Sequence, residues 1–316
     1  MGLLEYSEVY DPVYHDLIDI TMKHERSHWT EDEIKLQTDI EQWNTGKISD
    51  KDKHIIKNIL LLFTQSDVNV GQGYYDVLIP YIKNNEARNM LGSFAAREGI
   101  HQRGYALYTD TLGYDKTFYS QFLDIQVMRE KHEFMIERKG NGHKDFAQYL
   151  AKQLLCEGVS LFAMFAILLN YDRQGILPGM CDLNRWSFTD ESIHIEGNSA
   201  LFRHFLDEHP RIVNDEFKQE IYSCARTLVD LEDRFIDRVF GMGGAKDLTA
   251  EQVKEYIRYV TDYRLTQLGL KPNWGIKQNP LEWIDWIMGN QFGNFFERTI
   301  VDYSKANLTG EFKNGY

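Results

Sequence analysis

Two Glu-x-x-His pairs, Glu98-Gly99-Ile100-His101 and Glu191-Ser192-Ile193-His194, constrain this chain more than any other feature. Each lies in a long segment whose apolar residues recur at helical spacing, with no glycine or proline cluster near enough to break a helix. Positions i and i+3 share one helical face, so each pair presents a carboxylate and an imidazole together. With 10 His and an acidic balance, a Glu three residues before a His should arise roughly once by chance. A third instance, Glu25-Arg26-Ser27-His28, falls in the polar stretch from His24 to Glu33, where no apolar stripe places it in a core. We read it as the chance match.

Two further segments offer single carboxylates. Asp50 to Ile79 reads as one helix, with Ser49 as its cap and Ile56, Ile59, Leu60 and Phe63 at helical spacing, though Gly71 and Gly73 weaken its second half. Asp67 lies on it. Asp145 to Tyr171 reads as another helix, Glu157 is the one acid between Asp145 and Asp172, and it precedes the run Val159 to Leu169, which is apolar all round. A helix of that kind is buried, and a lone buried Glu must be paired, protonated or metal-bound. Four helices therefore offer Asp67, Glu98 with His101, Glu157, and Glu191 with His194. Four carboxylates neutralise two divalent cations, which makes their burial tolerable. Hard oxygen ligands with one imidazole per metal suit iron or manganese better than zinc or Cu(I). This is the general ligand pattern of ferritin-like di-iron and di-manganese proteins. The expected fold is therefore an all-α, ferritin-like bundle with a dinuclear site in its core.

Tyr105 follows Glu98 by seven residues, a rotation of about 700°, which brings it within roughly 20° of the same stripe. Beside an oxidising metal pair a phenol is an oxidisable group. Tyr108 lies about 80° off that direction and is expected to pack. Leu161 and Phe165 follow Glu157 on its helix face and could wall the phenol off from water.

Asp67, the Glu98-x-x-His101-x-x-x-Tyr105 string, Glu157, and Asp190-Glu191-x-x-His194 resemble the small, radical-generating subunit of class I ribonucleotide reductase. Leu177-Pro178-Gly179-Met180, Asn294-Phe295-Phe296-Glu297-Arg298 and Tyr303 extend the likeness, which runs from Trp29 to Tyr303. Two positions depart from it: Thr189 stands where the family commonly has Arg, and Leu161 where it commonly has Phe. The resemblance implies that the reduced metal pair activates dioxygen and oxidises Tyr105 to a stable radical. That radical passes to a separate large subunit, which reduces ribonucleotides to deoxyribonucleotides. It implies too that Trp29, Asp190 and His101 relay an electron between surface and metal, and that Tyr303 carries the radical toward the large subunit. Iron is the first expectation for the metal, with manganese or a mixed pair as alternatives. A homodimer is implied as well. A ferritin-like oxidase or monooxygenase would usually have Glu in place of Asp67 and need not have Tyr105. A storage protein predicts a shorter single bundle.

The remaining features bound this reading. The 316 residues, 43% hydrophobic, suffice for one large domain, taken as 1–316 with an N-terminal segment 1–30 and a partner-binding tail 304–316. A net charge of −13 disfavours nucleic acid as a partner. The longest uninterrupted apolar stretch, Leu161 to Leu169, is short for a bilayer span, so no membrane partner is expected. The N-terminus lacks a basic signal region. Three cysteines, Cys156, Cys181 and Cys224, cannot form a disulfide framework, which points to the cytoplasm. No Gly-rich phosphate loop appears, so the nucleotide is expected to bind the partner subunit.

Overall fold

The computed structural model describes residues 2–288, and among these there is no strand, only an isolated bridge between Ala245 and Leu248. The chain forms two compact units, Met1–Pro280 and Leu281–Tyr316. The first contains α1 (His15–Arg26), α2 (Gln37–Asn44), α3 (Asp50–Gly73), α4 (Ile79–Tyr81), α5 (Asn85–Thr111), α6 (Gln126–Ile136), α7 (His143–Leu155), α8 (Leu161–Asp172), α9 (Pro178–Glu208), α10 (Asp215–Val239) and α11 (Ala250–Gln267). In the second, the described part holds the short helix α12 (Trp283–Ile287). Tyr303 and the tail 304–316 lie outside the described residues.

The helix starts follow their caps. Ser49 Oγ accepts from Asp52 N at the head of α3, Asn84 Oδ1 from Ala87 N at α5, and Asn214 Oδ1 from Phe217 N at α10. The start of α9 is built differently. Leu177 is left-handed (φ 52°), and Pro178 occupies the first turn, where no N–H is needed. The amides of Gly179 and Met180 both donate to the buried carboxylate of Asp39 on α2, each at 2.9 Å. An anion at a helix N-terminus is favoured by the orphan amides and the macrodipole. Tyr108 donates to the same carboxylate at 3.1 Å, so it is a packing residue with a structural hydrogen bond.

Helices α3, α5, α9 and the α7–α8 pair make the core, α1 lies over α5 and α9, and α10 and α11 pack outside against α7 and α8. Every residue of α8 up to Tyr171 is buried, as its uniformly apolar sequence requires. By length and composition the helical run His143–Asp172 could span a membrane, but its apolar window is wholly buried in the fold, which makes it a core helix.

Neither of the long segments expected as single α-helices is one throughout. The path from Asp50 remains helical to Tyr81 but passes through a π-turn at Tyr74–Leu78, just after Gly71 and Gly73. The α7–α8 path contains a second π-turn at Cys156–Ser160, which carries Glu157. Such turns widen the helix by one residue and re-aim side chains, commonly at functional sites. This one is gripped from outside. Arg264 Nε on α11 donates to the Gly158 carbonyl at 3.1 Å, and Ser160 Oγ donates to Glu232 on α10 at 2.6 Å. A Cβ at Gly158 would lie 2.7 Å from Arg264 Nε, so glycine is needed for that approach.

Candidate metal centre

The helical stripes bring all six proposed ligands into the core, each at most 1% exposed. Asp67 comes from α3, Glu98 and His101 from α5, Glu191 and His194 from α9, and Glu157 from the π-turn. Two overlapping groups could hold an ion: Asp67, Glu98 and His101, and Glu98, Glu191 and His194. Within each group, one ligand atom per residue lies within 4.8 Å of the others.

Glu98 and Glu191 each divide their oxygens between the two imidazoles. Glu98 Oε2 is 3.5 Å from His101 Nδ1 and its Oε1 is 3.1 Å from His194 Nδ1. Glu191 Oε1 is 3.3 Å from His101 Nδ1 and its Oε2 is 3.4 Å from His194 Nδ1. Each carboxylate therefore faces both imidazoles and could be shared between two ions. Glu157 stands on the His194 side, its Oε2 3.7 Å from Nδ1.

The residues fit a metal pair on a second ground. Both oxygens of Asp67, Glu98 and Glu191, and Nδ1 of His194, are buried with no hydrogen-bond partner. Leaving so many polar atoms unpaired would cost several kcal/mol, on the order of 1–3 each, unless cations satisfy them. Without metal, protons must do that work. Burial pushes Asp67 and Glu157 well above the usual carboxylate range. Burial alone would lower both histidines, but their acidic neighbours prevail: Asp190, Glu191 and Glu98 raise His101, and Glu191 and Glu98 raise His194 to about 10. Burial would raise Glu98 too, yet the two imidazoles hold it low.

The outer nitrogens of the two imidazoles meet different partners. His101 Nε2 lies 3.1 Å from Asp190 Oδ2, which also accepts from Trp29 Nε1 at 2.7 Å. Trp29 is buried and its ring stacks on His101, with centroids 5.8 Å apart. Arg97 donates to Asp190 Oδ1 and to the backbone carbonyls of Ser27 and His24. A guanidinium thus reaches Asp190 from α5, although Thr189 replaces the arginine expected beside it. On the other side, His194 Nε2 lies 3.1 Å from Nε2 of His24, whose Nδ1 faces Ser93 Oγ at 2.8 Å.

Tyr105 is fully buried, and its hydroxyl has no hydrogen-bond partner. Burial, then the Asp67 charge, keep its proton on. Its ring stacks on Phe63 at 4.3 Å, and Phe165 backs Phe63 at 5.1 Å. Phe63, from α3, thus covers one face of the phenol, with Phe165 behind it.

A family model described as "Ribonucleotide reductase, small chain" matches residues 7–280. The chain belongs to the ribonucleotide reductase small-chain family. It is 34% identical to the probable ribonucleoside-diphosphate reductase small subunit of Invertebrate iridescent virus 3, over 91% of this chain and 81% of that protein. The corresponding protein of Invertebrate iridescent virus 6 is 31% identical over 98% and 97%. In fold, the chain is similar to the ribonucleotide reductase R2 subunit from Clostridium botulinum, with a TM-score of 0.83 at 20% identity, covering 91% of this chain and 94% of that one. The ferritin-like architecture expected from the ligand pattern and the small-subunit role implied by the resemblance both hold.

Sequence reasoning missed several residues of this small-chain core. The stretch from His24 to Glu33 was expected to have no apolar stripe, yet Leu17, Ile20, Thr21 and His24 form the buried face of α1. His24 closes that stripe. The stripe was visible at i, i+3, i+4 and i+7, but it ends in polar residues and gave no apolar signal at His24. Glu25 and His28, the chance pair, are exposed. Arg97, Tyr74 and Asn198 were also passed over, because nothing local marks a polar side chain as the partner of a distant carboxylate; Gln153, one turn before Glu157, could have been found from its spacing.

Proposed function

We propose that Asp67, Glu98, His101, Glu157, Glu191 and His194 hold two metal ions, and that Tyr105 is the phenol this subunit converts to a radical. The observation that carries this is the pair of carboxylates, Glu98 and Glu191, each offering one oxygen to each imidazole. When bound, a redox-active pair supplies the oxidising power, drawn from dioxygen, that a phenol radical requires. The protein's own part is geometric and protective. Asp190 accepts a hydrogen bond from the His101 Nε2–H, leaving Nδ1 free to face the carboxylates. Phe63 and Phe165 keep water from the Tyr105 ring. Asp67 is the charge that acts most on the Tyr105 hydroxyl.

Iron is our first choice for the pair, and manganese or a mixed pair the alternative, since these ligands accept both. Trp29 with Asp190 serves as the electron relay, and Tyr303 as the link to a large catalytic subunit that binds the nucleotide. The subunit works as a homodimer with that partner, in the cytoplasm.

The deciding experiment is electron paramagnetic resonance on metal-loaded, oxygen-exposed protein. A tyrosyl signal is expected, absent in Tyr105→Phe although metal binding persists. A signal that survives this substitution removes Tyr105 from the role. Tyr303→Phe should keep the resting radical and stop turnover with the large subunit. Metal analysis of protein from its native host decides between iron and manganese.

A further inference from the structure

Among the six ligand residues, Glu157 is the carboxylate whose two oxygens the protein itself already holds. Oε1 accepts from Gln153 Nε2 at 2.6 Å. Oε2 accepts from Tyr74 Oη at 2.8 Å and lies 3.4 Å from Asn198 Nδ2. Asn198 Nδ2 also donates to Tyr74 Oη at 2.8 Å, which commits the tyrosine's own proton to Glu157. All three partners are buried, and they come from different elements: Tyr74 from the π-turn after α3, Asn198 from α9, Gln153 from α7. Asn198 stands one turn beyond His194, and Gln153 one turn before Glu157, so each is on the stripe of a ligand.

The approach of Gln153 depends on a missing side chain. A Cβ at Gly73 would overlap Gln153 Oε1 and lie 2.9 Å from Tyr149 Oη. Gln153 Nε2 also reaches the Val70 carbonyl at 3.2 Å, through the same opening. Packing alone does not call for this arrangement, since a phenylalanine at 74 would fill nearly the same volume. Two amides and a phenol converging on one carboxylate fix its rotation.

We infer that Tyr74, with Asn198 and Gln153, is a positioning group that sets the Glu157 carboxylate for the ion beside His194. The two metal positions are then built by different means. On the His194 side, the Glu157 carboxylate is set by protein hydrogen bonds before metal arrives. On the His101 side, Asp67 has no hydrogen-bond partner on either oxygen, so only an ion would fix its rotation. This inference rests on the metal reading above.

The test is Mn(II) titration of metal-free full-length protein, following the free aqueous Mn(II) signal by electron paramagnetic resonance. Wild type should take up two ions. Tyr74→Phe should weaken one binding class by about 10–100-fold, the range for losing a hydrogen-bond partner of a ligand, and leave the other unchanged. Asn198→Ala and Gly73→Ala should reproduce that selective loss, and either replaces Tyr74→Phe if circular dichroism shows that variant unfolded. In a Glu157→Gln background, Tyr74→Phe should have no further effect, whereas a merely structural role would persist there. Unchanged affinities in Tyr74→Phe and Asn198→Ala, or equal weakening of both classes, overturn the inference while leaving the metal reading intact. A wild-type protein that binds no Mn(II) or Fe(II) overturns the metal reading itself.

Discussion

His24 Nε2 faces His194 Nε2 at 3.1 Å, two imidazole nitrogens sharing one proton at the edge of the metal site. As the proposed ligand, His194 would present a bare Nδ1 to a metal, with its proton on Nε2 donated to His24. His24 in turn keeps its proton on Nδ1, toward Ser93 Oγ at 2.8 Å. Burial and the neighbouring His194 push His24 down to about 2, so it stays neutral and can accept. The two proposed ligand imidazoles are thus backed unequally, His101 by the carboxylate Asp190 and His194 by a neutral ring.

His24→Ala should therefore weaken Mn(II) binding by roughly 10-fold or more, the usual cost of losing such a partner. His24→Gln should recover much of the loss, because an amide oxygen can accept the same proton. Calorimetric titration of the metal-free variants measures both. Equal affinity in His24→Ala and wild type would exclude the role.

Metal-free protein should lose stability as pH rises from about 7 to 9. The folded-state pKa of His194 is raised from 6.5 to about 10, and His101 is raised as well. Between the unfolded and folded values the native state holds more protons, so stability present below about 6.5 declines through this window. Asp67 and Glu157, also raised, act in the same direction. His24, lowered, acts only below about 6.5 and with the opposite sign. Bound Mn(II) takes the place of those protons, so the loaded protein should show a much flatter profile and an affinity that grows with pH. Urea unfolding midpoints at pH 7 and pH 9, with and without Mn(II), check this. A metal-free midpoint that climbs with pH contradicts it.

Lys131 on α6 and Glu232 on α10 form a fully buried ion pair, and Ser160 of the Glu157-bearing π-turn donates to the same Glu232 oxygen. Burial lowers Lys131 and raises Glu232, opposed by their mutual attraction. Lys131→Met alone strands a buried carboxylate and should cost about 3–5 kcal/mol. Adding Glu232→Leu should return most of that stability, since a packed apolar pair replaces the charges. Denaturant unfolding of the single and double variants measures it. A double variant no more stable than the single would show that the pair is worth more than its burial costs.

Much of the fold and the burial of the six proposed ligands were legible in the chain because helical periodicity is local. Glu98 with His101, and Glu191 with His194, announce themselves within one turn, and Glu157 stands out as a lone acid in an apolar run. The π-turn at Glu157 was not legible, since the run that follows it is apolar all round and a shift of helical phase leaves no mark there. Nor was the way Glu98 and Glu191 each face both imidazoles, or the partners Arg97, Tyr74 and His24. His24 meets His194 across 170 positions of sequence, and Arg97 meets Asp190 across 93. Such hydrogen bonds leave no mark on local composition. Which polar group satisfies which buried atom depends on how the helices pack, and here packing assigned a carboxylate to one imidazole and a second imidazole to the other.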